Sequence, residues 1–270
     1  MCMSDMIEKS EEVVVRFLSY TCTMKVIGDV LLMKIEIWSD YVCPFCYIGK
    51  RRLEEAIQEF PHKEQIDLVF RSFELDPNTK NDNDLNIHEA LAKKYGMSIE
   101  QAKQMNENVG QQAKDVGLTY HFDTMIPTNS FDAHRLAKFA EEHGKAQEMN
   151  ERLLKAYFTD SKKISDIEIL AELAEEIGLD RERTLNVLKG SEYGQLVRQD
   201  EAEAKQIGIT GVPFFVLNQK YAISGAQPTE TFIKALNMVW EEENEKKSLK
   251  IINTSKSEYC TDEGCEIPEE

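Results

Sequence analysis

Cys43-Pro44-Phe45-Cys46 stands between Trp38-Ser39-Asp40-Tyr41-Val42 and Tyr47-Ile48-Gly49-Lys50-Arg51-Arg52, and its reading decides the fold. Upstream, Met33-Lys34-Ile35-Glu36-Ile37-Trp38 alternates with period two and is rich in β-branched residues, which predicts a strand. Downstream, Leu53, Ala56, Ile57 and Phe60 recur at helical spacing and Pro61 follows, which predicts a helix. The two cysteines therefore fall where a strand ends and a helix begins. The first turn of a helix offers unpaired N–H groups and the positive end of the dipole, and both favour a thiolate. Pro44 is tolerated there because a first-turn residue has no intrahelical N–H bond to lose. Two residues of separation let the sulfurs close a small ring, with Cys43 attacking and Cys46 resolving.

A bare Cys-x-x-Cys is also half of a zinc site. The sequence holds no second such pair, and its five histidines (His62, His88, His121, His134, His143) are scattered. Pro44 and the strand-to-helix setting speak against two cysteines packed only as small hydrophobes. Redox use ranks above metal binding, and metal binding above an inert pair; no metal ligands are assigned.

The 270 residues carry 49 acidic against 32 basic side chains, a formal charge of −17. That balance argues against a nucleic-acid partner or an anionic membrane surface, and solubility explains it well enough. No run of apolar residues is long enough to span a bilayer. Residues 1–32 lack the basic start, apolar core and small-residue cleavage site of a secretory signal. The expected location is cytoplasmic, where cysteine pairs serve catalysis, sensing or metals more than structure. Val13-Val14-Val15-Arg16-Phe17 is apolar but leads into Met33 through no turn chemistry. Residues 1–32 therefore read as a loose extension or as misassigned upstream sequence, with Cys2 and Cys22 outside the function.

Ile66 to Leu75 alternates as a second strand, closed by Asp76-Pro77-Asn78, and Thr79 to Leu85 is a polar loop. From His88 to about Lys205 the pattern is almost wholly helical. Ser98-Ile99-Glu100-Gln101 forms a capping box, and Gly144, Gly178 and Gly190 stand where helix ends call for a left-handed residue. Helical segments are predicted over 130–142, 146–158, 166–177, 181–188 and 193–206. Strand character returns over Gly208–Leu217, and a two-residue turn at or near Gln219-Lys220 leads into Tyr221–Gly225, a hairpin. Thr229 to about Lys246 is an amphipathic helix burying Phe232, Leu236 and Val239. Residues 248–270 read as a flexible tail. The division is residues 33–80 and 207–247 as two parts of one α/β domain, with a helical domain at 81–206 inserted between them.

These features resemble the DsbA-like branch of the thioredoxin superfamily. Ser39 to Gly49, Phe131-Asp132-Ala133-His134-Arg135 and Gly208-Ile209-Thr210-Gly211-Val212-Pro213-Phe214-Phe215 are similar to its cytoplasmic FrnE-type members. The resemblance runs from Met33 to about Val239. It implies a thioredoxin fold with a large inserted α-helical domain and a thiol–disulfide oxidoreductase that exchanges disulfides with protein substrates. Cys43 is then the nucleophile, Cys46 the resolving cysteine, and Pro213 the cis-proline beside them. Val212 would present its backbone to a substrate strand, with Pro44 and Phe45 beside it. Phe45 offers no hydrogen bond to a thiolate, so the pair is expected to be less oxidising than one with a polar or cationic residue there. No cofactor is implied beyond the redox-active disulfide; a thiol reductant is implied, with glutathione the candidate donor.

The tail holds Cys260-Thr261-Asp262-Glu263-Gly264-Cys265. The resemblance suggests an auxiliary redox couple, ahead of a passive tail and of zinc. His134 and Arg135 read either as facing the cleft or as part of a solvated helix face. Tyr157-Phe158 and Phe214-Phe215 read as core. Two rival functions remain: a glutathione-dependent isomerase or transferase of the same fold, whose members carry Ser at the Cys43 position, and a redox-regulated holdase or binding protein.

Overall fold

The structure, a computed structural model, describes residues 32–80 and 85–245, together with the backbone of strand segments 12–17, 20–27, 30–31, 259–261 and 264–266. In the segment expected to be a loose extension, β1 (Glu12–Phe17), β2 (Tyr20–Ile27) and β3 (Val30–Leu31) pair antiparallel as their own sheet. Residues 1–11, with Cys2, lie outside the described residues, as does the Cys22 side chain.

The organising sheet begins at β4 (Met33–Ser39), which leads into α1 (Pro44–Glu59) and then β5 (Ile66–Ser72). β4 and β5 run parallel from Met33↔Ile66 to Ser39↔Ser72, so α1 is the crossover between them. After β5 the chain leaves the sheet for α2 (Ile87–Tyr95), α3 (Ile99–Asp115), α4 (Phe131–Glu142), α5 (Ala146–Phe158), α6 (Ile167–Glu176), α7 (Arg181–Lys189) and α8 (Gly194–Gln206). It returns at β6 (Phe214–Leu217), turns back as β7 (Tyr221–Ser224) and closes with α9 (Thr229–Glu245). The strand order is β5-β4-β6-β7, with β6 antiparallel to both neighbours. A mixed sheet with a helical excursion between β5 and β6 is the thioredoxin fold with a helical insertion that the sequence led us to expect.

Alternation explains why β4 sits at the centre. Met33, Ile35 and Ile37 pack with Leu53 and Ala56 of α1 and with Phe232, Leu236 and Val239 of α9. Trp38, on the opposite face, packs with Ala204 of α8 and with Ile209. Each such fully buried large side chain contributes roughly 1.5–3 kcal/mol. The same pleat carries Glu36 onto the α8 side, where it is 1 % exposed and pairs with Lys34 and Arg71. A second apolar cluster fills the helical excursion, around Leu136, Phe139, Leu153 and Leu173. The Tyr157-Phe158 pair and Phe215 are buried as expected, and Phe214 is partly buried against Trp38.

Several local expectations hold. Pro44 is at the first helical position of α1, and Ser98 and Gln101 form a reciprocal capping box. Others need correction. Gly190 ends α7 at φ −89°, not left-handed, because its carbonyl turns inward to accept from Arg135. The hairpin turn, expected at or near Gln219-Lys220, is centred on Asn218 and Gln219, with φ of 47° and 55°. Asn218 gains there: its side chain accepts from the Lys34 amide and its own N–H donates to the Lys34 carbonyl, both at 2.8 Å, which ties the turn to β4. Only Phe214–Leu217 of the stretch after Gly208 joins the ladder.

In the tail, β8 (Tyr259–Thr261) and β9 (Gly264–Glu266) pair antiparallel, and the register sets Cys260 opposite Cys265. Residues 246–258 and 267–270 lie outside the described residues.

Candidate active site

Cys43 is the N-cap of α1, with extended backbone (φ −95°, ψ 113°), and its amide donates to the Asp40 carbonyl at 3.1 Å. The chain thus turns off β4 through a short loop and presents Cys43 at the end of the helix that Pro44 starts. Cys46 follows one turn on, its amide donating to the Cys43 carbonyl at 3.1 Å. The side chains differ in company. Both cysteines are buried, at 4 % and 2 % exposure; the Cys43 sulfur lies 3.5 Å from the Val212 carbonyl oxygen, and the Cys46 sulfur accepts from the Asp40 amide at 3.5 Å. Burial pushes the Cys46 thiol well above its ordinary range, and the neighbouring Cys43 pushes the same way; the Asp40 amide and Ser39 side chain oppose this more weakly.

Of the sequence-assigned residues, Val212 and Pro213 come to the cysteine pair. The Val212-Pro213 peptide is cis, Pro213 is buried, and Val212 is half-buried beside Cys43. Gly49 lets these pieces approach: a Cβ there would meet Pro213 Cγ at 3.0 Å and Phe215 Cζ at 3.2 Å. Pro44 is partly exposed, and Phe45 is 38 % exposed, an aromatic left at the rim.

The helical excursion reaches this motif directly. Tyr120 donates to the Pro44 carbonyl at 2.8 Å, and burial raises its phenol, helped by Tyr47 and by both cysteines. Tyr47 donates to Glu151 of α5 at 2.5 Å, and Lys50 donates to the same carboxylate at 2.7 Å. Burial alone would raise Glu151; Lys50, Tyr47 and Arg51 outweigh it and hold the carboxyl below its ordinary value. Tyr41 donates to Asn150 at 2.7 Å. Sequence reasoning gave no role to Tyr120, Asn150 or Glu151, because only the fold brings α5 against α1.

His134 and Arg135 do not form a solvated face. Both are buried, at 2 % and 3 % exposure. Arg135 donates to the Val187, Leu188 and Gly190 carbonyls, satisfying the open end of α7, and to Asp132. His134 lies under the cysteine loop, with Nε2 3.4 Å from Asp40 Oδ1.

Residues 34–237 match the DSBA-like thioredoxin domain family. The chain belongs to that family. This DsbA-like protein is 43 % identical to a probable DsbA oxidoreductase from Streptomyces coelicolor, with a TM-score of 0.75 over 88 % of this chain and 100 % of the other. It is 31 % identical over 209 residues to the uncharacterized Bacillus subtilis protein YwbO, covering 77 % of this chain and 97 % of YwbO. The cytosolic disulfide reductase DsbM from Pseudomonas aeruginosa, at 16 % identity and a TM-score of 0.52 over 77 % of this chain and 99 % of its own, shares the fold. Among the described residues no helix is long and apolar enough to cross a membrane.

Proposed function

We propose that this DsbA-like protein is a thiol–disulfide oxidoreductase of the FrnE type, working on protein disulfides in the cytoplasm. One observation carries the reading: Cys43, at the start of α1, has its sulfur 3.5 Å from the Val212 backbone, with the Cys46 thiol next to it. In this reading the Cys43 thiolate attacks one sulfur of a substrate disulfide. The substrate S–S bond breaks, the Cys43–substrate bond forms, and the other substrate sulfur departs as a thiolate. Cys46 then attacks Cys43, forming the Cys43–Cys46 disulfide and releasing the second substrate thiolate. Two electrons pass to the substrate, and a thiol reductant, with glutathione the candidate, returns them to the pair. The exposed Phe45 and the half-buried Val212 backbone would hold the substrate segment.

The relation to the Streptomyces protein, at 43 % identity over its whole length, supports an oxidoreductase over a glutathione-dependent isomerase. Cys260 and Cys265, opposite one another in register, are assigned as an auxiliary couple that exchanges with Cys43. Reduction of insulin by dithiothreitol tests both assignments, comparing the intact protein, Cys43→Ser and a chain ending at Ser248. Loss of turnover in Cys43→Ser and a further drop on truncation support the reading. No turnover above background in the intact protein refutes it.

A further inference from the structure

Cys43 holds the N-cap position of α1, yet its side chain makes no capping hydrogen bond to the helix. A capping side chain ordinarily accepts from the amide of the second or third helical residue, which here are Phe45 and Cys46. The Cys43 sulfur instead faces the Val212 carbonyl at 3.5 Å, a contact in which the thiol donates. A thiolate has no proton to donate and is repelled by that oxygen, so once ionised the sulfur depends on the helix amides. The Cys46 amide already donates to the Cys43 carbonyl at 3.1 Å. The Phe45 amide, second in the helix, has no acceptor within it. It is the amide open to the thiolate.

Tyr120 acts on the same peptide unit. The Phe45 N–H and the Pro44 carbonyl belong to one amide, and the Tyr120 hydroxyl donates to the Pro44 oxygen at 2.8 Å. A donor at the oxygen end of an amide draws electron density away from its nitrogen and makes the N–H a stronger donor, and hydrogen bonds linked in this way strengthen one another by roughly 10–30 % each. The polarisation runs from the Tyr120 O–H through the Pro44 C=O and the C–N bond to the Phe45 N–H.

The phenol is fixed for this task. Its ring stacks on Phe158 with centroids 4.6 Å apart and on Tyr47 at 6.2 Å, and meets Phe122 edge-on at 5.7 Å. Burial raises the phenol, and the nearby Tyr47 and both cysteines push the same way, so the hydroxyl keeps its proton and remains a donor.

The ionisable groups packed around this turn have other partners. From α1, Tyr47, Lys50 and Arg51 bond Glu151 of α5. From the loop before α1, the Asp40 carboxylate accepts from the Leu75 amide at 2.7 Å and lies 3.4 Å from His134 of α4. The Val212-Pro213 segment brings a carbonyl and apolar side chains, and Cys46 is the neighbouring thiol.

Resting on the oxidoreductase reading, we infer that Tyr120 is a positioning residue that strengthens the hold of α1 on the Cys43 thiolate through the Pro44–Phe45 peptide. It acts on the amide and not on the sulfur itself. The helical excursion thereby sets how readily the cysteine pair reacts.

Tyr120→Phe keeps the ring and removes the donor. In a Cys46→Ser background, alkylation by iodoacetamide with mass mapping of the Cys43 peptide follows the thiolate alone. Adding Tyr120→Phe lowers the Cys43 rate near neutral pH by about threefold, and the two rates converge in alkali, where the thiol is ionised in both. Replacing Tyr120 with 3-fluorotyrosine, a stronger donor of nearly the same size, raises the neutral rate. A residue that only braces the turn would change accessibility, and so the rate, equally at every pH. Equal rates near neutrality, or a deficit that persists undiminished in alkali, overturn the inference. With both cysteines present, equilibration with reduced and oxidised glutathione should show the Tyr120→Phe disulfide about threefold harder to reduce, because the reduced form has lost part of its stabilisation. An equilibrium constant equal to that of the wild type overturns the inference as well. A wild type that forms no Cys43–Cys46 disulfide with oxidised glutathione refutes the oxidoreductase reading instead.

Discussion

Tyr120 donates its hydroxyl to the Pro44 carbonyl at 2.8 Å, so a residue of the helical excursion holds the first turn of the helix that carries both cysteines. Removing only that oxygen tests the link. Tyr120→Phe is expected to cost about 1 kcal/mol, the net worth of one hydrogen bond. Denaturant unfolding measures it, and an unchanged midpoint would mean that the contact holds nothing in place.

Glu151 is the acceptor for Tyr47, Lys50 and Arg51, and so joins α5 to α1 just after the cysteine motif. Glu151→Gln leaves Lys50 and Arg51 sharing Glu54 alone. Because the site is part-exposed, the expected loss is about 1–2 kcal/mol, between the surface and buried limits. Because its carboxyl is held low, that stabilisation is present above the ordinary carboxylate range. It fades as pH falls through the folded-state value, and the gap between wild type and variant should close in acid.

Glu36 gives a second acid-sensitive lock on the far side of the sheet. Burial alone would raise its carboxyl; the hydrogen bonds and charges of Arg71 and Lys34 outweigh that and hold it below its ordinary value. The unfolded chain therefore takes up this proton first as pH drops, and stability falls below about pH 4.3. Glu36→Gln should flatten the acid limb of a stability-versus-pH curve while lowering stability near neutrality. A variant curve parallel to the wild type throughout would assign the acid limb to other groups.

Gly49 is a test of close approach. A methyl group there meets Pro213 and Phe215 at 3.0 and 3.2 Å, so Gly49→Ala should push the Val212-Pro213 segment away from Cys43. Overpacking costs about 1–3 kcal/mol. The misplacement should slow disulfide exchange by about tenfold, since small displacements of reacting groups are expensive. Unaltered exchange with a lowered Tm would show that the spacing serves packing alone.

What could be read in advance follows from how local each signal is. Pro44 starting α1, the Ser98–Gln101 box and the alternation of β4 are written in neighbouring residues, and all three are present. The Asn86–Glu89 capping box is equally local; it falls between the loop predicted over Thr79 to Leu85 and the helical pattern from His88. Arg135 could not be placed in this way, because the carbonyls it satisfies lie more than fifty residues on, at the end of α7. Asp40 stands in the sequence as a residue beside the cysteines, while its 3.4 Å approach to His134 depends on α4, which lies far along the chain. Val212 and Pro213 were located by resemblance, and the geometry then supplies the 3.5 Å to Cys43 that no spacing rule contains.

The central claim is that Cys43 is the sulfur that attacks. Cys46→Ser removes the resolving thiol, so a mixed disulfide formed at Cys43 should accumulate. Incubating this variant with oxidised insulin and mapping the adduct by mass spectrometry under non-reducing conditions tests it directly. The account predicts a covalent insulin chain on Cys43, absent in the Cys43→Ser, Cys46→Ser double variant. Recovery of the unmodified variant, or an adduct that persists in the double variant, would contradict it.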